Sequence, residues 1–106
     1  MTTSNSLLEQ WEQFVQLVEE SYDDNIDEYH FDLRVRDALE TAVSSDTEPE
    51  WVMEKLSSLD ERFRALLRPE PVRDDVPWWR GRVPRYAGEE LAAAFRQWYG
   101  VEVEVR

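Results

Sequence analysis

One histidine, no cysteine and 24 carboxylates bound the chemistry open to this 106-residue chain. His30 could act as a general base, but no Ser or Thr near it forms a recognisable fragment of a nucleophile–base–acid triad. A single histidine also removes H-E-x-x-H zinc sites, and the missing cysteines remove disulfides, thiolate metal sites and thiol nucleophiles. With Gly81, Gly88 and Gly100 as the only glycines, neither phosphate-cradling pattern, G-x-x-x-x-G-K-[ST] nor G-x-G-x-x-G, can be written. Asp23-x-Asn25-x-Asp27 matches the first, third and fifth positions of a calcium loop. Its sixth position is Glu28 where glycine is needed, and its twelfth is Arg34 where a bidentate glutamate is needed. Carboxylate pairs do acid–base work only in a cleft that separates their pKa values, and carboxylates crowded on one surface do not point to a cleft. The expectation is a non-enzyme with no cofactor and no metal.

The carboxylates can instead act together as a field. The net charge is −12, of which residues 1–68 carry −11 and residues 69–106 carry −1. The first 33 residues hold nine acids and no Lys or Arg. Ordinary solvated helices mix signs, because opposite charges four residues apart help and like charges hurt. Such a field repels nucleic acid and anionic membranes and attracts basic proteins. Glu12, Glu19, Glu20, Asp23, Asp24, Asp27, Glu28 and Asp32 are the expected partner-binding residues. Solubility alone is the plainer use of the same charge. A second set, Trp78, Trp79, Arg80 and Arg82, combines residue types enriched at binding hot spots. The plainer role for the two tryptophans is to pin a long loop onto the helices.

These residues need elements to hold them. Ser6-Leu7-Leu8-Glu9 has the form of a capping box, and Leu7, Leu8, Trp11, Phe14, Val15, Val18 and Tyr22 follow at helical spacing, which predicts a helix over about 7–22. Phe31, Val35, Leu39 and Ala42 predict a second over about 28–44, with Asp27 as N-cap and Ile26 stapled onto Phe31. Tyr29, Phe31, Leu33 and Val35 also alternate with polar residues, so a strand over 29–35 stays open. Thr47-Glu48-Pro49-Glu50 starts a third helix over about 48–67, with Val52, Leu56, Leu59 and Phe63 apolar and Asp60 placed to pair with Arg64. Residues 68–87 hold four prolines and read as a loop. A last helix over about 89–99 ends at Gly100, and Val101–Val105 alternate as a strand that needs a ladder partner. Trp11, Trp51 and Trp98 are expected in the core.

The fold class expected over 1–106 is one mainly α domain. It comprises four compact helices, a long Pro/Trp-containing loop and a short C-terminal strand. The alternative is an α+β domain with a small sheet from 29–35 and 101–105. With 42% hydrophobic and 12% aromatic residues, the chain has the material for a core. The opening MTTSNSLLEQW lacks a basic n-region and an apolar h-region, so no secretory signal is expected and a cytoplasmic location is. The functional expectation is a small inhibitor or neutraliser, of immunity-protein or antitoxin type, docking its acidic face on a basic protein, for example one that binds nucleic acid. The alternative is an adaptor that assembles, for instance as a homodimer, through residues 101–105 or the Trp78/Trp79 loop.

Overall fold

The computed structural model describes residues 4–44 and 48–106. Its order is α1 (Ser4–Glu19), α2 (Ile26–Asp32), α3 (Arg34–Ser44), α4 (Glu50–Leu66), a single turn α5 (Trp78–Gly81), β1 (Tyr86–Ala87), α6 (Glu89–Tyr99) and β2 (Glu104–Val105). The domain is mainly α, as its periodicity predicts, and measures 41 × 26 × 23 Å along its principal axes.

α1 is the hub, packed chiefly against α4 and α3. Leu8, Trp11, Phe14, Val15 and Val18 recur every three or four residues, so one stripe of the helix goes inward and all five are buried. Facing them, Val52, Leu56, Leu59 and Phe63 bury the matching stripe of α4. Aromatic rings fill the middle: Trp11 meets Phe63 edge-on with centroids 5.0 Å apart, and Tyr29 meets Phe14 at 5.6 Å and Phe95 at 5.5 Å. Edge-to-face pairs of this kind add to the area they bury.

Several elements depart from expectation. α1 begins before Ser6, which sits inside the helix and accepts from Gln10 Nε2, so Ser6 is not its N-cap. The helix ends at Glu19 rather than at Tyr22 because Ser21 adopts a left-handed φ of 83°. Tyr22 is still buried, with its carbonyl accepting from the Gly88 N–H at 2.9 Å. The expected 28–44 helix is two helices broken at Leu33. Its N-cap is Asn25, whose Oδ1 accepts from the Glu28 N–H at 2.8 Å, and not Asp27. The inward stripe is Ile26, Tyr29, Leu33, Arg36 and Leu39, so Phe31 points out and makes no staple. Thr47 lies outside the described residues, and α4 starts after Pro49 without a side-chain cap. Trp51 and Trp98 are 50% and 66% exposed: Trp51 is one step out of phase with Val52, and nothing covers the last turn of α6 at Trp98.

Residues 68–87 are tied down rather than loose. Leu67 and Pro84 form an antiparallel bridge, with Arg68 N–H to Val83 O at 2.9 Å and Arg85 N–H to Leu66 O at 2.7 Å. α5 and β1 both lie inside this segment. β1 pairs in parallel with β2, Tyr86 opposite Glu104 and Ala87 opposite Val105. The C-terminal strand thus finds its ladder in the loop; residues 29–35 are helical apart from the break and join no sheet, which overturns the α+β alternative. Gly100 caps α6 at φ 67°, where glycine carries no Cβ penalty. Gly88 is needed for space: a Cβ there would sit 2.5 Å from Asp23 Oδ1 and 2.9 Å from Asp23 Cα. Gly88→Ala is expected to destabilise by about 1–3 kcal/mol, read from the urea midpoint, because the backbone of the α1–α2 turn must move.

Candidate protein-binding surface

The eight acidic candidates do not form one face. Glu12 and Glu19 lie on the side of α1 turned toward α4. There Arg62 holds Glu19 through two hydrogen bonds, at 2.6 and 3.2 Å, and lies 3.9 Å from Glu12, while Lys55 lies 3.8 Å from Glu12. Hydrogen bonding to Glu19 raises the Arg62 guanidinium above its usual range. These two acids brace α1 against α4 and are locally neutralised.

The other six gather around the α1–α2 turn. Glu20 is exposed at the end of α1, and Asp23 and Asp24 are exposed in the turn. Asp24 Oδ1 accepts from the Asn25 N–H at 2.7 Å, which shapes the entry to α2. Asp27 and Glu28 occupy the first turn of α2, where the positive end of the helix dipole favours carboxylates. Asp32 is half-buried and accepts from the Tyr22 hydroxyl at 2.7 Å. Burial, that bond and the nearby acids push the Tyr22 phenol far above its usual range, so it stays a donor. None of these six acids takes part in a salt bridge among the described residues.

Beside this acidic arc lies something the spacing rules missed. Phe31 is 58% exposed and Leu17 is 49% exposed. Phe31 borders a groove of about 340 Å³ between Leu7, Gln10, Asp32, Arg34 and Val35. It continues into a space of about 200 Å³ between Gln10, Gln13, Phe14, Leu17, Asp32 and Val35. The Arg34 guanidinium lies 5.2 Å from the Phe31 ring centroid. The available signal was Asn25-x-x-Glu28, a cap that starts α2 early and leaves Asp27 and Phe31 four residues apart on the same outer face.

Three residues of the second candidate set, Trp78, Trp79 and Arg80, make their contacts within the fold. Trp79 is buried, its Nε1 donates to Asp37 Oδ1 at 2.8 Å, and the Arg36 guanidinium stacks 4.2 Å from its ring centroid. Trp78 is half-buried against Phe63, with Arg64 stacked on it at 4.2 Å. Arg80 binds both oxygens of Asp37. Burial raises the Asp37 carboxyl, but the hydrogen bonds from Arg80 and Trp79 outweigh it and leave Asp37 below its usual range. Arg82 is half-buried and makes no ion pair among the described residues. The pinning role of Trp78 and Trp79 is the one their contacts display.

Asp60 does not pair with Arg64. It receives Arg36 in a two-pronged bond, at 3.0 and 2.8 Å, and the Trp11 Nε1–H at 3.2 Å, while Arg36 also reaches Glu40 at 3.0 Å. Arg36 is the buried charged residue of the described chain, at 4% exposure. His30 is half-buried, and burial together with Arg80 and Arg73 lowers its pKa against the pull of Asp27. Among the described residues, no group of three or more His, Cys, Asp or Glu side chains is arranged to hold a metal ion. No helix among them is long and apolar enough to cross a membrane. No protein-family model, curated protein or solved structure matches this chain.

Proposed function

We propose that the protein is a small, non-catalytic inhibitor or neutraliser, acting in the cytoplasm, that docks its acidic surface on a basic protein. Its target fits the description of a nucleic-acid-binding protein, whose cationic cleft the acidic arc complements; direct binding of nucleic acid or membrane is not part of this reading. The observation that carries it is the arc of Glu20, Asp23, Asp24, Asp27 and Glu28, unneutralised by any salt bridge among the described residues and adjoining exposed Phe31. Complementary charge of this kind speeds encounter and selects the partner, while an apolar anchor slows dissociation. Immunity proteins and antitoxins share this physical type, which is an analogy of design.

The test is capture of partners by the tagged protein from lysate of its own cells, washed over a salt series, with retained proteins identified by mass spectrometry. A basic partner that is released progressively as salt rises is the expected result. Recovery of a salt-resistant partner, or of the protein itself alone, would favour the adaptor reading. That second reading has one observation in its favour: β2 keeps an unpaired edge in its two-stranded sheet, and Val105 on it is exposed.

A further inference from the structure

We infer that the groove between α1 and the α2–α3 break receives one helix of the partner, a helix with an apolar face flanked by Lys and Arg. The inference rests on the acidic-face reading and names what that face would hold.

The α1 wall of the groove has the length to receive a helix. Leu7, Gln10, Phe14 and Leu17 step along α1 by three, four and three residues, so they line one wall. Ten residues at 1.5 Å each make that wall about 15 Å long, close to three helical turns. Phe31 and Val35, four residues apart across the break at Leu33, form the opposite wall, and Asp32 lies between them. Both walls are helices whose backbone groups bond within their own turns, so there is no strand edge for an extended peptide to join. Apolar side chains set into the groove are the remaining mode, and a helix presents them at matching spacing.

Charge selects the kind of helix. Asp27 and Glu28 flank Phe31 on the outer face of α2, and Glu20 stands one turn beyond Leu17. Arg34, folded over the Phe31 ring, is the single basic residue lining the groove. A second copy of this chain would bring the same acids against these, and an acidic helix would meet the same repulsion. A helix with cationic flanks meets attraction along the α2 side of the apolar seam and at its Glu20 end.

The probe is a synthetic 14-residue amphipathic helix of Leu and Lys, titrated into the ¹⁵N-labelled full chain. A peptide of the same composition in scrambled order and a Leu/Glu counterpart serve as comparisons. The expected result is shift changes confined to residues 7–20 and 27–35, with the scrambled and acidic peptides binding at least about tenfold more weakly. Leu17→Ser with Phe31→Ser leaves the net charge unchanged and is expected to weaken binding by about tenfold or more, about 1.4 kcal/mol. Glu54→Lys with Glu61→Lys alters the charge by the same amount at exposed positions of α4, which lines neither part of the groove, and is expected to weaken it less than about threefold, as screening dictates. Equal binding of the scrambled peptide, shifts spread over the whole surface, or an unaffected Leu17/Phe31 variant would overturn the groove. The variants are exposed positions, and their urea midpoints show whether the fold is intact. A basic partner captured from lysate that ignores the Leu17/Phe31 variant would overturn the groove while leaving the acidic-face reading standing.

Discussion

Arg36→Ala is expected to cost about 3–5 kcal/mol of folding stability, a large part of what a domain of this size commands. The guanidinium is almost wholly buried and joins four groups: Asp60 and Glu40 by hydrogen bonds, Trp79 by stacking, and through Asp60 the indole of Trp11. Those groups come from α1, α3, α4 and α5, so one side chain couples the hub helix to the pinned loop. Removing it leaves the Asp60 carboxylate, itself largely shielded, without its cation. An orphaned buried charge costs more than the intact pair contributes. The urea midpoint should fall by more than about 1 M. Arg36→Met with Asp60→Asn is expected to lose less than Arg36→Ala, because methionine keeps the packing on Trp79 and asparagine still accepts from Trp11. A loss under about 1 kcal/mol in Arg36→Ala would show that the apolar stripes alone hold α3 to α4.

The second large effect concerns binding. Asp24→Lys, Asp27→Lys and Glu28→Lys together are expected to weaken the basic partner by about 100-fold or more at low salt, since single close charge pairs across an interface couple by about 1.5–7 kcal/mol. The triple variant should still fold. Its stability is expected to fall by about 0.3–1 kcal/mol for each lysine placed at the positive end of α2. Glu12→Lys with Glu19→Lys separates position from total charge. Those acids face Arg62 and Lys55 on α4, so their reversal breaks exposed ion pairs worth about 0–1 kcal/mol each and is expected to leave binding within about threefold. A field effect without a defined face would make both variants fail alike.

The contrast between those two sets of acids marks where the sequence stops being legible. Periodicity is a local property, and where one stripe was uniformly apolar it named the buried residues: Leu8 to Val18 in α1 and Val52 to Phe63 in α4 are inside. The 26–44 region offers two helical stripes. Phe31, Val35, Leu39 and Ala42 are apolar throughout, whereas the stripe that is buried contains Arg36. A charged residue in the inward register is acceptable only because Asp60, 24 residues away, supplies the partner, and no local pattern encodes that. The same long-range pairing takes Asp60 from Arg64 and frees Arg64 to cover Trp78. Trp51 and Trp98 sit next to apolar stripes and their size suggests the core, yet phase and the open end of α6 leave them outside.

The candidate surface divides along similar lines. Its charge is plain in the first 33 residues, which contain no Lys or Arg. Which acids are spent within the molecule depends on Arg62 meeting Glu19 across 43 residues of chain, and that is tertiary information. Phe31 lies on the surface because Asn25, not Asp27, caps α2 and sets the phase of that helix. Gly100 and the C-terminal strand were readable, but the strand's partner, Tyr86–Ala87, lay inside a segment whose prolines masked its order.

The most direct test of the acidic arc as the docking surface is a set of binding isotherms for the captured partner. Wild type and the Asp24/Asp27/Glu28 triple-lysine variant are compared at about 50 and about 300 mM salt, concentrations that bracket physiological screening. The account predicts tight wild-type binding at low salt that weakens steeply at high salt, and weak binding by the variant with little salt dependence left. Equal affinities for the two proteins at low salt would contradict it.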